Sequence, residues 1–236
     1  MASIEPMRVE TPGVPGLLFV PDDPGPLPLV LLGHGAHTGK DDPMMQILCR
    51  SLARGIPAAV LVIDAPGHGE RAPDHPVAAI EAAERAIFDP AAHDELVGDW
   101  TAARVAARAI EPRIDDRTAY AGFSMGSIHG ASIVHRLPFV GPVLLALGGL
   151  VGDHRPAATN ELILRGLAAL GEREVLMLNM TDDESFPFAD ALRAFRTIPG
   201  PKRMYVYEGG HTEIPGEAVR LGGEFLRRTL RPKGAT

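Results

Sequence analysis

An α/β fold, a mostly parallel sheet covered on both faces by helices, is the architecture that this chain of 236 residues predicts. Three observations carry it. Wholly apolar runs of strand length, such as Leu29-Val30-Leu31-Leu32 and 58–63, suit strands buried on both faces. Stretches whose apolar residues recur at helical spacing alternate with these runs. Between one such strand, 118–121, and the helical stretch after it lies Gly122-Phe123-Ser124-Met125-Gly126, a glycine-framed serine where strand would turn sharply into helix.

The elements follow in order. Residues 7–10 and 16–20 read as two short strands joined by Pro/Gly turns, an antiparallel edge. The stretch 22–28 holds too much proline for regular structure, and 29–32 is a central strand. A helix over 43–54 has a proline near its start and Gly55 at its end. The strand 58–63 runs into Asp64-Ala65-Pro66-Gly67-His68-Gly69-Glu70-Arg71, where Glu70 and Arg71 are expected to pair. Alanine-rich helices over 76–87 and 90–111 are broken at Asp89-Pro90. The serine strand and a helix over 125–136 precede a strand at 142–147. A Gly-rich loop with one amphipathic helix, 148–172, is a possible small cap. Strands at 174–180 and 203–207 and helices at 189–195 and 216–230 complete a three-layer αβα sandwich. With no internal repeat and no low-complexity linker, one domain over 1–236 is the economical reading.

Bulk properties narrow the function. A net charge of −7 argues against a nucleic-acid or anionic-membrane surface. No apolar run approaches the roughly 20 residues that a membrane span needs. The first ten residues carry charge and proline instead of a signal core, so a soluble, cytoplasmic protein is the expectation. The single cysteine, Cys49, lies in an apolar-periodic segment and reads as a buried structural thiol.

Nucleophilic serine chemistry needs a base that takes the hydroxyl proton and an acid that orients the base. Both should lie on loops at the carboxyl ends of strands, as Ser124 does. His211, in Glu208-Gly209-Gly210-His211, directly follows the last strand, and Asp182 and Asp183 directly follow the strand that ends at Met180. The chain order serine, aspartate, histidine suits this topology. Met125, the residue after the serine at the amino terminus of its helix, offers one backbone N–H to a developing oxyanion. Phe123, Phe186 and Phe188 stand beside this machinery, either lining an apolar acyl pocket or packing beneath its loops. His34, His37, Asp41 and Asp42 lack metal-ligand spacing, and Gly33-x-Gly35 lacks the third glycine of a dinucleotide site. No metal and no organic cofactor is expected.

These motifs resemble the α/β-hydrolase superfamily, in its small esterase and dienelactone-hydrolase-like branch. Gly33-His34-Gly35, Asp64-x-Pro66-Gly67-His68-Gly69, Gly122-x-Ser124-x-Gly126, Asp183-x-x-Phe186-Pro187 and Gly210-His211 carry the likeness, from Leu29 to Leu230. The resemblance implies an α/β-hydrolase fold with a minimal cap and a Ser124-His211-Asp183 triad. Phe186-Pro187 selects Asp183 over Asp182. It assigns the second oxyanion N–H to Ala36, whereas His34 reads as ordering its own loop through hydrogen bonds, with contact to the substrate as its other candidate role. Typical dienelactone hydrolases carry cysteine where this chain has Ser124, so ester hydrolysis of a small molecule through an acyl-enzyme is favoured. A thioesterase or acyltransferase with the same triad, or a non-catalytic ligand-binding relative, are the alternatives.

Overall fold

The structure, a computed structural model, describes residues 4–152 and 156–232. Residues 153–155 of the expected 148–172 cap segment lie outside them. Eight strands form one sheet in the order β1-β2-β4-β3-β5-β6-β7-β8. The hairpin β1 (Met7–Thr11) and β2 (Val14–Phe19) joins the sheet antiparallel through β4 (Ala59–Ile63). From β4 onward, through β3 (Leu27–Gly33), β5 (Ile114–Phe123), β6 (Val140–Ala146), β7 (Val175–Met180) and β8 (Lys202–Tyr207), every pairing is parallel. β3, β4 and β7 are buried at every residue, as strands covered on both faces must be.

Helices cover the two faces. α1 (Pro43–Gly55) and α7 (Gly216–Thr229) bury Cys49, Leu52, Phe225 and Leu226 against one face. Burial pushes the Cys49 thiol up to about 12, so it stays protonated. On the other face lie α3 (Pro90–Ile110), α4 (Met125–Ile133), α5 (Ala157–Ala168) and α6 (Phe188–Thr197), with α2 (Pro76–Phe88) against α3 and α4. α5, from the stretch expected to form a cap, packs into this layer: a Cβ at Gly166 would lie 2.1 Å from the Ala131 carbonyl oxygen of α4. No helix among the described residues is long and apolar enough to cross a membrane.

Three elements depart from the sequence expectation. β5 begins at Ile114, ahead of the apolar run, because Asp115-Asp116-Arg117 at its start face solvent in part and leave no hydrophobic signature. Leu27 and Pro28 belong to β3 and not to the irregular stretch 22–28. The proline is accommodated where the β3–β5 register shifts between Leu27 and Leu29. Glu70 and Arg71 do not pair with each other. Glu70 binds Arg8 and Lys40, whereas Arg71 reaches back across the loop to Asp99 and Glu95.

Two features of this frame position the site. The first is the closeness of α4 to the sheet. A Cβ added at Gly122 would lie 2.2 Å from the Gly126 carbonyl oxygen, and one at Gly126 would lie 2.3 Å from that of Gly33. No side chain fits between the first turn of α4 and the ends of β3 and β5, and Tyr120 ties that turn down by donating to the Gly126 carbonyl at 2.7 Å. The second is a polar scaffold behind the loop that follows β3. Asp64, fully buried, accepts from the Lys40 and Glu70 N–H groups (2.7 and 2.9 Å) and faces the buried Lys40 ammonium at 3.2 Å. His34 donates from Nδ1 to the Gly35 carbonyl (2.8 Å) and accepts at Nε2 from the Ala65 N–H (3.0 Å), which requires a neutral ring. Burial pushes its pKa down to about 4.

Gly126→Ala should therefore lose about 2–4 kcal/mol of stability, read from urea unfolding. Gly98→Ala, at an exposed position of α3 with open space around it, should gain about 0.5–1 kcal/mol. Equal effects at the two sites would contradict the packing. For His34 the sign follows from its depressed folded pKa. The unfolded chain takes up a proton near pH 6.5 that the folded loop refuses, so this contribution is full above that pH and is lost as pH falls toward 4. The thermal midpoint should be level above about pH 6.5 and fall below it; a midpoint that rises on acidification would contradict a neutral His34.

Candidate active site

Ser124 sits between the last residue of β5 and the first of α4 with φ 53° and ψ −113°, a positive φ that a non-glycine residue adopts only under constraint from its surroundings. That constraint is the glycine contact just described, together with the Ser124 N–H bond to the Ala146 carbonyl (3.0 Å). Ser127, one turn on, anchors the elbow from below, its hydroxyl 2.8 and 2.6 Å from the carbonyls of Gly122 and Ala146. The Ser124 hydroxyl stands 2.8 Å from His211 Nε2.

His211 follows β8 through Gly209, whose φ of 125° only glycine adopts readily. Its Nδ1 lies 2.9 Å from Asp183 Oδ2 and 3.1 Å from Oδ1. Asp183 is buried and fixed in turn: its Oδ1 accepts from the Ser185 and Phe186 N–H groups at 2.9 and 2.8 Å. The neighbouring Asp182 is exposed and accepts from the Thr181 hydroxyl, so only one of the two aspartates reaches the imidazole. With the carboxylate accepting from Nδ1–H, Nε2 is left to accept the serine proton.

The two loops that carry aspartate and histidine are joined by one carboxylate and one backbone bond that the motifs did not suggest, and a second carboxylate braces the histidine loop itself. Glu184 accepts from the His211 N–H (3.1 Å), Glu213 from the Gly210 N–H (2.7 Å), and Asp182 N–H donates to the Gly209 carbonyl (3.0 Å). Hydrogen bonding to its own and the His211 N–H holds Glu184 below the usual carboxylate range. The signal available in the sequence was only that three acidic residues flank the two loops.

The site opens into a cleft of about 720 Å³. Met125, Ile128, Ile87, Phe88, Leu147 and Val151 wall one side, on the face covered by α2 to α5; Phe123, Met44 and Met45 wall the other, next to α1. Phe186 closes over the histidine, its ring 5.5 Å from the imidazole. Ala36 and Met125 both line the cleft beside Ser124. The Met125 N–H is the first amide of α4, a position that a helix leaves without an internal acceptor. The turn holding Ala36 is closed by Thr38, which donates to the Gly35 carbonyl (2.8 Å). Of the candidate substrate neighbours, His34 instead orders its own loop, as its alternative role had it, and Phe188 lies elsewhere. The His34 ring is buried behind its loop, committed to Gly35 and Ala65, and Phe188 starts α6 on the surface, outside the cleft. Among the described residues no group of three or more His, Cys, Asp or Glu could hold a metal ion.

No family model and no curated protein matches the sequence. Solved structures do match its fold. A cold-adapted esterase from an Arctic intertidal metagenomic library is similar with a TM-score of 0.78 at 26% identity, over 96% of this chain and 93% of that one. A dienelactone hydrolase from Anabaena variabilis superposes with a TM-score of 0.68 at 16% identity, over 96% and 97%. The acylaminoacyl peptidase of Pyrococcus horikoshii matches this whole chain over 44% of its own, with a TM-score of 0.75 at 14% identity. Strand order, serine elbow and these likenesses agree, and the chain has the α/β-hydrolase fold.

Proposed function

We propose that the chain is a serine hydrolase that cleaves carboxylic esters of small molecules through an acyl-enzyme. The observation that carries the reading is the continuous relay Ser124 Oγ, His211 Nε2, His211 Nδ1, Asp183 Oδ2, with separations of 2.8 and 2.9 Å, at the mouth of an apolar cleft. The esterase similarity at 26% identity supports the same class of chemistry.

In this reading Ser124 Oγ attacks the acyl carbon while its proton moves to His211 Nε2. The carbonyl oxygen takes the negative charge, which in this reading the N–H groups of Met125 and Ala36 stabilise. When the tetrahedral intermediate collapses, the carbon–oxygen bond to the alcohol breaks and the imidazolium returns its proton to the leaving oxygen. Water then repeats the sequence: its proton goes to Nε2, its oxygen to the acyl carbon, and Ser124 leaves with the proton restored. Asp183 holds the imidazole in the tautomer that keeps Nε2 free and balances its charge when protonated. The apolar walls take the acyl chain and part of the alcohol. No metal and no organic cofactor enters this chemistry.

Ser124→Ala should lower kcat for a nitrophenyl ester by about 10⁴-fold or more with the fold intact by circular dichroism. Undiminished turnover would overturn the mechanism. A second comparison separates the aspartates: Asp183→Asn should cost about 10³- to 10⁴-fold in kcat, and Asp182→Asn no more than about threefold. Equal losses in steady-state assays of the two variants would reject Asp183 as the orienting acid.

A further inference from the structure

The C-terminal end of α2 is held in an unusual way. A helix leaves its last carbonyls without internal partners, and these ordinarily meet water or a glycine turn. α2 ends instead at Phe88-Asp89-Pro90. Pro90 has no N–H to offer the Ala86 carbonyl, and the Ala91 N–H is taken by the Asp89 carboxylate that caps α3. Three consecutive carbonyls are satisfied by side chains from three different helices. Ala86 accepts from His129 Nε2 of α4 (2.9 Å), Ile87 from His93 Nε2 of α3 (2.9 Å), and Phe88 from Thr159 Oγ1 of α5 (3.3 Å). His129, His93 and Thr159 are all buried.

Because a carbonyl only accepts, both histidines carry their proton on Nε2. Burial lowers the pKa of each ring, which keeps them neutral, and the Ser132 hydroxyl lies between two acceptors, His93 Nδ1 at 2.6 Å and the His129 carbonyl at 2.9 Å. The two rings meet edge to face, 5.1 Å apart at 88°. Hydrogen-bonding imidazoles are costly to bury in an apolar core where a leucine would fill space, and the cost is offset only if their bonds are made.

What this arrangement holds is the wall of the cleft. Ile87 and Phe88, the residues whose carbonyls are clamped, line the cleft beside Ile128, the immediate neighbour of His129 on α4. The middle of α2 is held separately, with Ala82 against the Gly67 turn, so the stretch from there to the clamped end sets the wall's distance from Ser124. We propose that His129, His93 and Thr159 form a positioning clamp that sets the depth of the acyl pocket through Ile87 and Phe88 and so selects acyl-chain length. The proposal rests on the ester-hydrolase reading above.

Releasing the clamp lets the end of α2 retreat, which favours longer chains over shorter ones. The experiment compares kcat/KM for octanoyl and acetyl nitrophenyl esters in the full-length protein. His129→Leu should raise the octanoyl-to-acetyl ratio by about tenfold, the scale at which a pocket distinguishes neighbouring chain lengths. His129→Gln, which keeps an N–H donor, should restore most of the wild-type ratio. Phe88→Ala, which removes the wall and leaves the clamp, should move the ratio in the same direction, and its combination with His129→Leu should fall short of additivity. A folded His129→Leu protein with an unchanged ratio would overturn the proposal and leave the histidines as packing anchors. Should His129→Leu fail to fold, Thr159→Val decides by the same ratio. Loss of the ester-hydrolase reading shows separately, as ester turnover that survives Ser124→Ala; Ser124-dependent turnover with a fixed ratio overturns the clamp alone.

Discussion

The close approach of the first turn of α4 to the ends of β3 and β5 is the constraint on which the rest of the site depends. Gly33, Gly122 and Gly126 meet at distances that exclude a methyl group, and the backbone at Ser124 is driven to a positive φ as a result. The strain is local and is met by surrounding packing: Tyr120 beneath the turn, Ser127 against two carbonyls, and β6 accepting the serine N–H. The elbow lifts one hydroxyl to the carboxyl edge of a parallel sheet. Loops after β3, β7 and β8 arrive at that same edge, so Asp183, His211 and the Ala36 turn converge without long excursions of chain.

Several of the polar groups buried in this molecule steady those loops. Asp64 and Lys40 form a desolvated pair that would be poor value as generic stabilisation, since removing two charges from water costs about as much as their attraction returns. Its position gives it a purpose: Asp64 spans the backbone of Lys40 on one loop and of Glu70 on another, behind the turn that carries Ala36. His34 works on the same turn from inside, and the His93–His129 pair works on α2 across the cleft. The apolar core supplies the bulk of the folding free energy, and these few buried polar contacts decide where loop backbones stop.

Much of this is legible in the amino-acid sequence because it is encoded locally. Every strand is an apolar run or an alternating edge, and helix limits such as Pro43, Pro76 and Pro90 are set by proline at the first turn, so expected and observed elements agree within a few residues. Ser124, His211 and the Asp182–Asp183 doublet are visible because each follows a strand, and the geometry then separates the doublet by burial and by distance to His211. What is hidden is what depends on distant pairing. Lys40 and Asp64 are 24 residues apart, Arg71 and Asp99 28, and neither spacing has a periodic signature. Glu70 beside Arg71 suggests a local pair, yet the chain turns between them and each side chain finds a remote partner. Phe188 adjoins the active-site loop in sequence and still lies outside the cleft, since it is the first residue of α6 and points away. The clamped carbonyls of α2 have no side-chain signature at all, because the backbone supplies the acceptors.

The most direct measurement is intact-mass and peptide-mapping mass spectrometry after reaction of the folded protein with a fluorophosphonate. A serine whose hydroxyl stands 2.8 Å from His211 Nε2 should form one covalent adduct per chain, located on the peptide that contains Ser124. A folded protein that forms no adduct, or one that carries it on a different residue, would contradict Ser124 as the nucleophile of this site.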